Sequence, residues 1–210
     1  MGASTEPVED NLVALASIAA ELHSVMGVVW SVSLAGKNAK VISAQAGDKG
    51  LGFRPITESI DEISQQAIRG VDDISSEALR LSKIAVNEQR SIDAYQRFNS
   101  VIKKDADAKY IKTILPAVKN VEQSMRASIS EFKKSMNNLT LLLESMDQCM
   151  LSARAVASVS RIVTSSGQEY RDKLTVVSND LDKAASYIKQ RLLNSYRHLN
   201  NVNMLRQKGI

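Results

Sequence analysis

The side chains that could do covalent or metal chemistry in this chain are few and scattered. His23 and His198 stand far apart, and neither has a Cys, Asp or Glu at metal-ligand spacing. Cys149 is the single cysteine, and neither it nor Ser166 has a histidine nearby in sequence to act as its base. A lone cysteine also excludes an internal disulfide framework and fits a reducing, cytoplasmic setting. Gly47, Gly50 and Gly52 are the remaining candidates, because glycine-rich loops cradle phosphates when they follow a strand. Here they follow a helical pattern, and there is no Walker-type sequence. The residues predict a protein that is not an enzyme and holds no metal or cofactor. Cys149 reads as a small apolar helix residue, and His23 as a buried or snorkelling side chain on an apolar helix.

The glycine cluster gains its meaning from the elements around it. Glycine reaches positive φ at no steric cost, so three glycines within six residues predict a tight reversal between two antiparallel helices, with Phe53 packing back to close the tip. Before the cluster, Leu15, Ile18, Leu22, Val25, Val29 and Val32 step by three and four, the spacing of a coiled-coil seam. That pattern predicts a first helix from about Pro7 to Gln45, capped by Thr5. After the cluster, Pro55 suits a first helical turn, and a seam runs from Ile56 to Ala85 and on through Ile92, Tyr95 and Phe98. The step at Ala67 to Val71 has the form of a stutter.

Residues 103–107 predict a second turn. Pro116 either kinks the third helix or opens it behind a Thr113 cap. From Val118 through Ile129, Phe132, Met136 and Leu139 to Met150 the seam resumes, its methionines filling core gaps. Residues 164–167 predict the third turn, with Gln168 and Glu169 opening the last helix. Its stripe runs from Tyr170 to Leu192 and frays through Leu199 and Val202.

Composition agrees with this pattern. Aromatic residues make up only 4% of 210 residues, too few for a broad compact core but enough for a thin bundle layered with Ala, Leu, Val and Ile. The expected fold is all-α: antiparallel coiled-coil hairpins forming an elongated four-helix bundle. Residues 1–103 form the hairpin with its tip at 46–53, and residues 104–210 form a second hairpin packed on it. The net charge of +4, from 27 basic and 23 acidic side chains, is too evenly mixed for a nucleic-acid binder. The stretch from Leu12 to Gly36 is the most apolar in the chain, but Glu21 and His23 near its middle argue against a membrane span.

Asn38 to Ile63 resembles the hairpin tip of the methyl-accepting chemotaxis proteins. Asn38, Ala39, Ala44, Ala46, Gly47, Gly50, Gly52 and Phe53 match that family's pattern, and Asp48, Ile56, Glu58, Ile60 and Ile63 replace its residues conservatively. The resemblance covers about residues 12–95. It implies a signalling tip that docks a histidine kinase and a coupling protein, with hairpins pairing into homo-oligomers. It further implies a turn built by Gly47, Gly50, Gly52 and Phe53, and partner contacts at Trp30, Leu34, Asn38, Asp48 and Phe53. Four positions depart from the family. Its tip glutamate and arginine fall on Ile42 and Gln45, the leucine before the asparagine is Lys37, and a return-arm valine is Pro55. Three readings stay open: a chemoreceptor-like scaffold, an assembly protein that keeps the tip only as ancestry, and a membrane-active protein using the Leu12 to Gly36 face.

Overall fold

Apolar residues spaced by threes and fours drive long helices that each bury one stripe. Four such helices form: α1 (Glu6–Gln45), α2 (Arg54–Lys104), α3 (Ile111–Thr164) and α4 (Arg171–Lys208). A seven-residue 3-10 helix, Gly47–Phe53, joins the first two. The computed structural model describes residues 6–45, 47–104, 111–164 and 171–208, and side chains at 11–45, 47, 51–104, 112–163 and 172–204. The described residues are helical throughout, and the fold is all-α. At 54 residues, α3 is about 80 Å long.

Each helix packs on its neighbours in chain order, and α4 closes the ring against α1. Among the described residues, no Cα atoms of diagonally opposite helices come within 8 Å. Cross-helix contacts fix the register. Arg80 on α2 reaches Glu131 on α3, and Arg191 on α4 reaches Glu21 on α1, each at 2.9 Å. Neighbouring helices therefore run antiparallel, and one hydrophobic core extends through both hairpins.

The predicted seams form that core. Leu15 to Val32 on α1, Ile56 to Ala85 on α2, Phe132 to Met150 on α3 and Leu174 to Leu192 on α4 are buried at their seam positions. Three expectations are corrected. Leu199 and Val202 do not fray but are buried, with α4 continuing to Lys208. Ile129 is exposed, while Ile92, Tyr95, Phe98, Val118, Val121 and Met125 are only half-buried. In this register, that stretch of α2 and α3 lies near or beyond the last buried residues described on α1 and α4, which leaves its stripe half covered. Of the alternatives at Pro116, α3 begins at Ile111 and runs through the proline. There the missing N–H costs one bond close to a helix end. Thr5, Gln168, Glu169 and Tyr170 lie outside the described residues.

Small residues let the helices approach closely. A Cβ added at Gly36 would stand 2.7 Å from Cγ2 of Ile60, so α1 and α2 meet where no other residue fits without displacement. Buried hydroxyls tolerate the core because they bond back to their own helix. Ser64 donates to the Ile60 carbonyl at 2.8 Å, Ser195 to the Arg191 carbonyl at 3.0 Å, and Ser178 to the Leu174 carbonyl at 2.8 Å. Ser178 also pairs with Ser160 across α3 and α4. Ser135 donates to the buried Glu77 carboxylate, which Arg80 also engages at 3.3 Å.

Two glycines on α1 should respond oppositely to substitution. A Cβ at Gly27 meets nothing within 4 Å, so Gly27→Ala should gain the helix-propensity difference, about 1 kcal/mol. At Gly36 the same change should cost about 1–3 kcal/mol in overpacking, outweighing that gain. Guanidinium unfolding of dilute protein checks both, and equal stabilisation by the two would remove the close approach at Gly36.

Alkaline pH supplies a second check. Burial, followed by the Glu144 and Asp147 carboxylates, pushes the Tyr196 phenol up to about 12. The raised value belongs to the folded state. Its contribution is therefore whole below the ordinary value of about 10 and is lost as pH rises from there towards 12. Urea midpoints across that range should fall more steeply for the wild type than for Tyr196→Phe; parallel curves would contradict this.

Candidate functional site

The reversal is built as its residues require. α1 ends at Gln45, and Gly47 takes φ of +56°, the left-handed conformation that favours glycine. Among the described residues no other glycine has positive φ. The expected tight reversal is thus made with left-handed backbone at Gly47. Gly50 and Gly52 lie within the 3-10 helix, and a Cβ on Gly52 would make an ordinary 3.8 Å contact with Cγ1 of Val163. That contact also places the end of α3 against the tip, so the two hairpins turn at the same end of the bundle.

Phe53 is buried in the core cluster, where it closes the tip from inside. Leu51 points out, 57% exposed, and Val159 and Ile162 at the same end of α3 are also exposed. These three apolar side chains carry no pattern in the sequence that marks them as tip residues, because only the register of α3 brings them there. The side chains of Asp48 and Ser166 lie outside the described residues.

The other candidates stand on α1. Asn38 is exposed about 14 Å along the helix from Gly47. Leu34 and Trp30 are 62% and 55% exposed, about 20 and 25 Å from Gly47. Trp30 and Leu34 are thus lateral to the tip rather than part of it.

Beside them an open groove of about 450 Å³ runs between α1 and α4, lined by Gly27, Ser31, Ala35, Asp180 and Tyr187 among others. Its polar end is organised by Glu21, which accepts from Arg191 at 2.9 Å and from Asn194 at 3.2 Å. The Arg191 guanidinium lies 4.8 Å from the Tyr187 ring centre, and the Tyr187 hydroxyl donates to Ser24 at 3.2 Å. Hydrogen bonding with Ser24, then with Arg191, draws the Tyr187 phenol below its ordinary pKa. In the sequence, Glu21 reads only as an obstacle to a membrane span. Its partners on α4 lie some 170 positions away and carry no local signal of the pairing.

The scattered chemical groups remain apart. Cys149 is buried with its thiol 3.7 Å from the Ile63 carbonyl, and burial pushes the thiol pKa up, against thiolate chemistry. His23 is exposed on the outward face of α1, which corrects the buried alternative for it. By the Glu21–Arg191 register, His198 lies about 14 Å from it along the axis. Among the described residues, no group of three or more His, Cys, Asp or Glu could hold a metal ion. Asn11–Gln45 is long enough to cross a membrane and contains an 18-residue stretch of mean hydropathy 1.8, 33% of which is buried in the bundle. No protein-family model matches the chain, and no curated protein matches it.

Proposed function

We propose that this protein is a non-enzymatic scaffold of the chemoreceptor type that docks protein partners at the tip end of its bundle. The observation that carries this reading is the form of the tip. A left-handed Gly47 reverses the chain, Phe53 is buried beneath it, and Leu51 stands exposed on its surface with Asn38 on the adjoining arm. A rigid end with a buried aromatic anchor and outward apolar side chains suits recognition of a protein surface. The resemblance of residues 38–63 to a chemoreceptor tip names the partners: a histidine kinase and a coupling protein of the chemotaxis type, met in the cytoplasm.

Ile42 and Gln45 replace the charged pair by which that family's tips knit together, so this tip engages its partners without those charges. A second reading, self-assembly, is favoured by the apolar side chains that α1 exposes far from the tip, Val13 and Trp30 among them.

A pull-down with the chemotaxis histidine kinase and coupling protein of the same cell tests the first reading. The wild-type chain should capture at least one of them. A chain carrying Asn38→Ala and Leu51→Asp should lose that capture at least tenfold with unchanged far-UV helicity. Capture by neither chain would rule out the tip as a docking site and leave assembly as the function.

A further inference from the structure

The outward face of α1 repeats the spacing of its buried face. Val13, Ala20, Gly27, Leu34 and Val41 fall seven residues apart, and a second line of Ala16, His23, Trp30, Lys37 and Ala44 alternates with them. All of these positions are exposed. α1 therefore carries two coiled-coil seams on one helix. The inner one is spent on the bundle, and the outer one is covered by none of the described residues.

Sizes along the outer seam are self-complementary in one arrangement. When a second α1 is laid antiparallel, with alternate seam positions facing one another as in an antiparallel coiled coil, Val13 faces Ala44, Ala16 faces Val41, and Ala20 faces Lys37. At the centre Gly27 faces Trp30, and the pairing occurs twice by symmetry. Large side chains meet small ones at each of these layers, and at the one remaining layer Leu34 faces His23. Gly27 has open space in place of a side chain, beside the groove between α1 and α4. A parallel arrangement in register would instead stack Lys37 on Lys37, His23 on His23 and Trp30 on Trp30.

We propose that this face is the docking surface for a second copy of the chain, bound antiparallel with Trp30 of each copy seated against the other's Gly27. From residue 13 to residue 44 the seam is about 46 Å long and about 10 Å wide, which puts roughly 1,000 Å² in the contact from both copies, the lower end of what a specific interface needs. The dimer is accordingly one that dissociates on dilution. A two-fold axis closes the assembly at two chains. A lipid surface is the poorer occupant. Ser17, Ser24, Ser31 and Asn38 edge the seam with uncharged side chains, and its cations, Lys37 and Lys40, are confined to the last turns, whereas interfacial helices carry basic rims. This inference does not rest on the tip reading, because its central residues lie about 25–30 Å from Gly47 along α1.

Trp30 is the only tryptophan in the chain, so its emission reports this surface directly. Sedimentation equilibrium with the full chain should give a monomer–dimer equilibrium, and Trp30 emission should shift to the blue as the dimer fills. Gly27→Glu places a charge where the monomer has free space, so it should keep the fold by circular dichroism while raising the dimer dissociation constant at least about 100-fold. Val13→Glu, which faces Ala44, should act the same way from a second layer. A wild type that stays monomeric at every concentration overturns the proposal, as does dimerisation untouched by both variants. A blue shift produced only by added vesicles of phosphatidylcholine and phosphatidylglycerol would likewise overturn it in favour of a lipid surface.

Discussion

The approach of α1 to α2 at Gly36 and Ile60 is the constraint on which the rest of the bundle depends. With 2.7 Å between Cγ2 of Ile60 and the place a methyl would occupy, no residue but glycine fits against the Ile60 side chain without a shift. That spacing belongs to a thin bundle, in which alanine, serine and glycine share the core with leucine and isoleucine. Thin packing in turn explains the hydroxyls at the centre. A serine that bonds back to the carbonyl of its own preceding turn occupies little room and leaves no polar atom unsatisfied.

Because the ring of four helices is closed by a single chain, α1 needs only one face for folding. Its other face is free to keep an apolar repeat. That accounts for a helix long and apolar enough to cross a membrane while only one-third of its most apolar 18-residue stretch is buried in the bundle. Glu21, the charge that breaks the stretch, is committed to Arg191 and Asn194 across the α1–α4 contact. Its presence follows from helix pairing, with desolvation limited by two hydrogen-bond donors. Along α1, Gly47 and Phe53 shape one end, and Gly27 and Trp30 mark the middle.

The fold is largely legible in the sequence because helix pairing writes itself locally. Steps of three and four mark the buried stripes, and α1 begins and ends within a residue of where Pro7 and Gln45 put it. What the sequence hides depends on register between distant segments. Leu199 and Val202 look like the polar tail of a helix until α1 and α3 are seen beside them. Ile129 continues the seam in spacing but lies where the covering helices no longer bury it. The glycine cluster reads as a tight reversal, but not as one left-handed residue, Gly47, followed by a 3-10 helix that carries the chain over the remaining span. Leu51, Val159 and Ile162 come to one end of the molecule only through the register of α3 against α2.

One chain closes its own four-helix bundle, rather than lending a hairpin to a bundle shared between two chains. Arg80 and Glu131, joined across α2 and α3 at 2.9 Å, supply the test. Both would be changed to cysteine in a Cys149→Ala background. Nitrogen-15-labelled and unlabelled chains would then be refolded together and bridged with a short bismaleimide, and the linked peptides weighed. Links within chains of a single isotope are the predicted result. An equal share of mixed-isotope links would mean that two chains exchange hairpins, and α1 would then have no face left over from folding a closed bundle.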